Sequence, residues 1–333
     1  MQLIVLGLNH KTAPVEIRER FNFSQDRTVR VLRRLRNNDN LNEAVLLSTC
    51  NRTELYMVLE DPAAGLHFIR TLLRHLAGEQ YKPDYFYNLT GINCVRHLFK
   101  VASSLDSLII GEGQILSQIK NAYHLSRSCG MTDTLFNTLF NRAIAVGKRV
   151  RTETKIAYSS VSVSSAAVDL AIDVVGDLTK ANILVLGAGR MSELTARHLI
   201  DKGAKTIFVS NRNLSHAQEL AEKFNGTAIP YNEFMHQAIT SDIIITSTGA
   251  PHYVITEQGV RDIIPKRSGK PLILVDIAVP RDVDPLVGDI EGVTLYNIDD
   301  LEGVVDMNKN FRSSEAKVAE AIIDEEITAL KER

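Results

Sequence analysis

The sequence predicts a multidomain α/β protein, and three observations predict it. Its 333 residues, 44% apolar and 23% charged, suit a folded chain of about two domains. The first ninety residues alternate strand and helix patterns. Residues 182–276 alternate continuous apolar strands with helices, the pattern of a parallel sheet covered on both faces.

Residues 2–8 (QLIVLGL) read as a strand. Residues 24–36 read as a helix, with Ser24 as N-cap and Val29, Val31, Leu32 and Leu35 on its apolar side. Strands at 43–48 and 53–59 flank a short polar piece from Cys50 to Arg52, a helix follows at 62–77, and a last strand at 84–89. This βαββαβ order is the split βαβ pattern of a ferredoxin-like sandwich. Segments 91–104, 112–128, 132–154 and 159–175 carry helical periodicity only. Strands at 182–186, 206–210, 242–247 and 272–276 then alternate with helices near 190–202, 214–224 and 256–264, a doubly wound Rossmann arrangement. The tail from about 299 to 333 reads as one helix with ten acidic and five basic residues. Its apolar positions Val318, Ala319, Ile322, Ile323, Ile327 and Leu330 form a stripe expected to be too narrow for a buried core. The expected divisions are a catalytic substrate-binding domain at 1–155, a dinucleotide domain at 156–295 and a final helical region at 296–333.

A net charge of −2 excludes a uniformly basic nucleic-acid coat but leaves room for a local patch. Residues 1–40 hold eight basic and four acidic residues, and Arg27, Arg30, Arg33, Arg34 and Arg36 share one helix. That row reads either as RNA contact or as a solvated face. No apolar run approaches the ~18 residues a membrane span needs, and the N-terminus lacks a basic leader. Cys50, Cys94 and Cys129 form no CxxC pair, so a reduced, metal-free, cytoplasmic protein is expected.

The strongest local motif is the strand 183–186 followed by Gly187-Ala188-Gly189-Arg190-Met191-Ser192 and a helix. Gly187 permits the tight turn, Gly189 lets backbone approach a pyrophosphate, and Ser192 is a small stand-in for the third glycine. The next strand ends Ser210-Asn211-Arg212. An NAD site usually carries an acid there. A guanidinium pairs instead with a 2′-phosphate, which favours NADPH. Thr248-Gly249 and Asp276 end later strands and would line the same crevice.

Ser48-Thr49-Cys50-Asn51-Arg52 places one thiol and one cation between apolar strands. That suits a nucleophile whose pKa a neighbouring cation lowers, though for a cysteine taken alone a small residue buried at a turn is the more common outcome. Cys94 and Cys129 read as structural. A third cluster runs His97, Ser107, Glu112, Gly113, Gln114 and Gln118. A helical His is commonly a satisfied structural group, and the others could be caps and surface amides. A thiol, a nicotinamide and no metal together suggest reduction of an activated carboxyl group through a thioester.

Six segments in order make the sequence resemble the glutamyl-tRNA reductase family, which opens the C5 route to 5-aminolevulinate and tetrapyrroles (porphyrin biosynthesis). They are residues 7–19 (GLNHKTAPVEIRE), 48–56 (STCNRTELY), 105–116 (LDSLIIGEGQIL), 147–154 (GKRVRTET), 187–189 and 276–282 (DIAVPRD). The resemblance implies that Cys50 is the nucleophile and His97 the activity-linked histidine. It implies that Thr49, Asn51, Arg52, Ser107, Glu112, Gly113, Gln114 and Gln118 surround the glutamyl group, with Arg52 on its carboxylate, so that Arg52→Ala is expected to harm catalysis more than the fold. It further implies that residues 187–192 hold the NADPH phosphates and that glutamate-1-semialdehyde and free tRNA are the products. The implied architecture is a catalytic domain, an NADPH domain and a long spinal helix.

Gly113 stands where many bacterial members have proline. The family continues from the spinal helix into a dimerisation domain, which is expected to be absent because the sequence ends at Arg333. The implied partners are glutamyl-tRNA, a second copy in the full-length form and a glutamate-1-semialdehyde aminomutase. The implied compartment is the cytoplasm, or the plastid stroma for a processed chain. Two other readings compete: an NADP-dependent dehydrogenase of a small alcohol, which needs no Cys50, and a non-catalytic NADPH- and tRNA-binding regulator.

Overall fold

The computed structural model describes residues 1–77, 82–108, 111–156, 163–301 and 309–331. These form two compact units. One comprises the described residues up to 156 together with 309–331, and the other runs from 163 to 301.

The first unit is built on a four-stranded antiparallel sheet of order β2-β3-β1-β4. Its strands are β1 (Gln2–Asn9), β2 (Leu41–Ser48), β3 (Arg52–Leu59) and β4 (Tyr87–Thr90). Three helices lie within that stretch: the single turn α1 (Val15–Arg18), α2 (Gln25–Leu35) and α3 (Pro62–Ala77). The strand order is that of the ferredoxin-like sandwich expected from the βαββαβ pattern. Ser24 caps α2 by accepting from the Arg27 N–H, and Leu32 and Leu35 are its fully buried residues against the sheet. The last strand starts later than expected, because residues 83–85 form a 3-10 turn.

Both faces of this sheet are covered. Ile4, Leu6, Leu46, Leu55 and Met57 pack on one face with α2 residues and Ile69 of α3. Val5, Val45, Leu47, Tyr56 and Val58 pack on the other, under α4 (Gly91–Ala102), α5 (Gln114–Ser128) and α6 (Thr134–Glu153). Double coverage explains why β3 is buried at every position, where a one-sided sheet would alternate. Cys94 lies in the second of these cores and Cys129 packs against the first.

The terminal helix α12 (Lys309–Lys331) joins this second core. The sequence stripe was expected to be too narrow, yet Ala319, Ile322, Ile323 and Ile327 are each no more than 5% exposed. A narrow stripe suffices because it seats between α4 and α6 rather than on open sheet. The acidic face is matched by cations: Lys100 reaches Glu320 at 2.7 Å, Arg149 reaches Glu325 at 2.7 Å and Glu326 at 3.0 Å, and Arg96 pairs with Asp324. Residues 298–301 form a separate 3-10 turn, not the start of this helix. Residues 302–308, included in the expected helix, lie outside the described residues, as do 159–162 of the expected helix before the second sheet.

The second unit is a six-stranded parallel sheet of order β10-β9-β8-β5-β6-β7. Its strands are β5 (Asn182–Leu186), β6 (Thr206–Asn211), β7 (Thr227–Pro230), β8 (Ile243–Thr246), β9 (Leu272–Asp276) and β10 (Val293–Asn297). Helices α7 (Val163–Val175), α8 (Arg190–Asp201), α9 (Leu214–Lys223), α10 (Phe234–Ala238) and α11 (Glu257–Ile263) accompany them. The order reverses at β5, so a crevice opens beyond the carboxyl ends of β5 and β8, where such sheets bind ligands. The edge strands β7 and β10 were not expected from the sequence.

Candidate functional site

Cys50 sits at the tip of the β2–β3 hairpin. Ser48 pairs with Thr53 across the hairpin, and the Thr49 N–H donates to the Arg52 carbonyl at 2.8 Å. Thr49 Oγ1 accepts from the backbone N–H groups of Asn51 and Arg52 at 3.2 and 3.1 Å. A threonine hydroxyl thus fixes the turn that presents the thiol. From the side, Arg18 Nε donates to the Cys50 carbonyl at 3.3 Å and its guanidinium also holds the Ala13 carbonyl at 3.0 Å. The His10 N–H donates to the Asn51 carbonyl at 3.0 Å.

The cavity around Cys50 is lined by Thr49, Asn51, Arg52, Ser107, Glu112, Gln114, Ile115 and Gln118. Seven of the eight expected substrate residues therefore converge on one space with the thiol. Gly113 is not among the lining residues. It precedes α5, and a Cβ there would lie 3.1 Å from both terminal nitrogens of Arg151. His97 is not among them either. Residues 109 and 110 of the same expected segment lie outside the described residues.

The thiol differs from expectation in its electrostatics. Burial, reinforced by the charge of Glu112, pushes Cys50 up to about 11, and the opposing charges of Arg18 and Arg52 do not overcome it. Glu112 is itself pushed up by burial.

Behind the cavity lies a buried charge cluster that sequence reasoning only partly identified. Arg52, Glu54 and Tyr56 alternate along β3, so they share the face that α4 covers. Glu54 is fully buried and accepts from Arg52 Nη1 at 2.5 Å, the Tyr56 hydroxyl at 2.6 Å and the Tyr87 hydroxyl at 2.5 Å. His97 Nε2 lies 2.9 Å from the same carboxylate. Against the cost of burial, Arg52 and His97 hold Glu54 well below the usual carboxylate range. Asp106 takes Arg52 Nη1 and Nη2 at 3.2 and 3.3 Å and also pairs with Lys11. These cations hold it low against its burial. Arg52 is thus committed to two carboxylates of its own chain. His10, desolvated and faced by Arg52, Lys11 and Arg18, is pulled down to about 4, and its Nδ1 is buried with no hydrogen-bond partner among the described residues. The signal for Glu54 was present in the sequence as a carboxylate two residues after Arg52 in an apolar strand.

In the second unit a cleft of about 260 Å³ is lined by Leu186, Gly187, Ser210, Asn211, Arg212, Tyr231, Thr248, Gly249 and Ala250. Gly187 has φ +111°, and a Cβ there would meet Ser192 Oγ at 2.8 Å and the Ser247 carbonyl at 3.0 Å. Only glycine fits that turn. A Cβ at Gly189 would meet nothing within 4 Å, which leaves its backbone open to a ligand. Ser192 Oγ lies 2.7 Å from Ser247 Oγ, tying α8 to the end of β8. Arg212 Nη2 lies 3.0 Å from His252 Nε2 at the cleft. Ser210 Oγ is buried with no hydrogen-bond partner among the described residues. Ala188 and Gly189 form the turn and Arg190, Met191 and Ser192 open α8, and of the expected residues 187–192 the cleft lining holds Gly187 alone. At the end of β9, burial and the charge of Asp282 push Asp276 up to about 7. The Thr248 N–H donates to Asp282 at 2.7 Å, which fixes the loop bearing Gly249.

Comparison with known proteins agrees with both units. Residues 6–154 match the family model described as glutamyl-tRNAGlu reductase, N-terminal domain, and residues 169–304 match that described as shikimate / quinate 5-dehydrogenase. A glutamyl-tRNA reductase of Trichlorobacter lovleyi is 47% identical over 330 residues, covering 98% of this chain and 76% of the relative. One of Brevibacillus brevis is 45% identical over 332 residues, covering 99% and 73%. The solved glutamyl-tRNA reductase from Methanopyrus kandleri superposes with a TM-score of 0.52 at 36% identity, covering 99% of this chain and 79% of that one. With identity of this level along almost its whole length, and a ferredoxin-like thiol unit preceding a Rossmann unit, the chain belongs to the glutamyl-tRNA reductase family.

Proposed function

We propose that this chain reduces glutamyl-tRNA to glutamate-1-semialdehyde with NADPH, releasing free tRNA, as the first step toward 5-aminolevulinate. The observation that carries the reading is the cavity holding Cys50 amid Thr49, Asn51, Arg52, Ser107, Glu112, Gln114 and Gln118. In the first step the Cys50 sulfur bonds to the glutamyl carbonyl carbon, the ester C–O bond breaks, and the terminal ribose hydroxyl leaves with a proton. With the thiol held up to about 11, little thiolate exists at neutral pH, so the proton departs as the substrate arrives. Glu112 lines the same cavity and its charge acts on the thiol, which makes it the group to receive that proton and pass it to the departing ribose oxygen.

On the family resemblance Arg52 borders the glutamyl side-chain carboxylate; Glu54 and Asp106 already balance its charge and fix its orientation, so it offers directed N–H groups rather than net positive charge. His97 acts through Glu54, as a positioning residue for that guanidinium. Thr49 and Asn51 hold the hairpin tip, while Ser107, Gln114 and Gln118 offer hydrogen bonds to the glutamyl group, and Gly113 leaves room beside Arg151. Gly187 to Ser192 would hold the cofactor's pyrophosphate. Ser210, Asn211 and Arg212 would take its 2′-phosphate, and Thr248 and Gly249 would border its nicotinamide end. When bound, NADPH would supply a hydride to the thioester carbonyl carbon; the C–S bond would break to give the aldehyde, and the departing Cys50 sulfur would take up a proton to restore the thiol.

Residues 1–155 are proposed as the catalytic region, 156–295 as the NADPH region and 296–333 as the start of the spinal region. No helix among the described residues is long and apolar enough to cross a membrane. A cytoplasmic or plastid-stromal setting, homodimerisation of the full-length form and transfer of the aldehyde to an aminomutase are proposed on the family resemblance.

The test is incubation with glutamyl-tRNA without NADPH, followed by mass spectrometry of the Cys50 peptide. A glutamyl adduct that disappears on adding NADPH, with semialdehyde formed, is expected. Absence of the adduct, with turnover retained by Cys50→Ser, overturns the reading in favour of an ordinary dehydrogenase.

A further inference from the structure

A second and larger cleft adjoins the cavity that holds Cys50. It measures about 520 Å³, and its lining includes Phe23, Gln25, Ser48, Gln118, Asn121 and His124, a size within the roughly 300–1,000 Å³ of small-molecule pockets. Gln118 lines both spaces, and Ser48 directly precedes Thr49 of the thiol hairpin. We propose that this cleft receives the 3′-terminal nucleoside of the charged RNA. The inference rests on the reductase reading above and deepens it.

Three features argue for that occupant. The first is covalent geometry: an aminoacyl ester joins the reacting carbonyl directly to a ribose oxygen. With the carbonyl at Cys50, the ribose has to occupy space adjoining the thiol cavity, and the cleft beyond Gln118 is such a space.

The second is the chemistry of the walls. Gln25, Thr28, Ser48, Gln118, Asn121, His124 and Ser128 supply amide, hydroxyl and imidazole groups, and among the described residues no Lys, Arg, Asp or Glu lines the cleft. Such walls suit a neutral solute rich in donors and acceptors rather than a free anion. The Phe23 ring is buried beneath the Arg27 guanidinium, 4.7 Å from its centroid. The exposed His124 imidazole therefore offers the ring face on which a base can stack.

The third is charge at the border. Gln25 and Thr28 open α2, the helix that carries exposed Arg30, Arg33 and Arg34. An RNA strand leaving a neutral nucleoside pocket there would meet cations for its phosphates, and the two expectations for that arginine row resolve toward RNA contact.

The test fills the cleft at exposed positions away from Cys50. Asn121→Trp and Gln25→Trp occupy it from two different elements, and far-UV circular dichroism identifies any variant that fails to fold. Two acyl donors are compared in single-turnover acylation of Cys50: glutamyl-tRNA, and the α-thiobenzyl ester of glutamate, which has no nucleoside. A folded variant is expected to raise the concentration of glutamyl-tRNA needed for half-maximal acylation by about tenfold or more, while its rate with the thiobenzyl ester changes by less than about twofold. Unchanged dependence on glutamyl-tRNA overturns the inference and leaves the reductase reading intact. Equal loss with both donors also overturns it, because the cleft then only supports the thiol cavity. Wild-type protein acylated by neither donor overturns the reductase reading itself, and the inference with it.

Discussion

Arg52 Nη1 lies 2.5 Å from the Glu54 carboxylate, with side-chain exposures of 1% and 0%. The two residues are neighbours on one face of β3, so the strand itself sets their pairing. A buried pair of this kind contributes little net stability compared with an apolar isostere, but removing one partner strands the other charge out of water.

Arg52→Ala is therefore expected to lose about 3–5 kcal/mol, read from urea unfolding, in addition to any catalytic loss. The sequence-based expectation placed the larger loss in catalysis; the buried pairing adds a loss of stability to it. Asp106→Asn is expected to cost less, since Arg52 keeps Glu54 as its partner. Equal stability of Arg52→Ala and wild type would show that the guanidinium is not committed as the geometry indicates.

Acid sensitivity follows from the same cluster. Glu54 and Asp106 are held below their ordinary values, so their stabilisation is present above the ordinary carboxylate range and is lost as pH falls through it and below. His10 is lowered from 6.5 to about 4. The unfolded chain takes up that proton first, so stability drops as pH falls from about 6.5 to about 4, by at most about 3 kcal/mol. His10→Gln is expected to flatten the stability profile in that window and leave the steeper loss below it. A profile unchanged between pH 6.5 and 4 would remove His10 from the account.

Much of this was legible in residue order, and what was missed had physical reasons. The hairpin tip was visible because Thr49 to Arg52 is a polar interruption between two apolar strands. The parallel core was visible because β5, β8 and β9 are continuous apolar runs. Thr227–Pro230 and Val293–Asn297 escaped notice because they are short edge strands, each buried on no position, and carry little hydrophobic signal. The Arg52–Asp106 contact spans 54 positions, and no local pattern announces it. The raised thiol escaped because proximity of an arginine in sequence says nothing of how that arginine is neutralised, or of how strongly burial acts on the sulfur.

Alkylation should expose that last point. The rate of iodoacetamide labelling at Cys50, followed by peptide mapping, is expected to rise with a midpoint near 11 rather than near the ordinary thiol value of about 8.5. Glu112→Gln removes a charge that disfavours the thiolate, so its midpoint should shift down. A wild-type midpoint below neutral pH would mean an activated thiolate and refute the arrangement described.

Cofactor preference is checked at Arg212, which borders the cleft of the second unit. Arg212→Glu is expected to weaken NADPH by about tenfold to a hundredfold, the worth of a charge-assisted contact of about 1.5–3 kcal/mol, and to leave NADH nearly unaffected. Fluorescence titration with both cofactors reads this directly. Equal weakening of the two would place the guanidinium elsewhere than on the 2′-phosphate.

The terminal helix that covers Cys94 and Leu98 has a consequence for biogenesis. The thiol-bearing unit is discontinuous: 150 or so residues of nucleotide-binding chain are translated between its main body and the segment that seals it. A nascent polypeptide thus carries an unsealed hydrophobic seam until Ile322, Ile323 and Ile327 emerge. Ribosome stalling inside the Rossmann region would leave that seam bare, so the Cys50-bearing unit is sealed only after the parallel-sheet unit has been made.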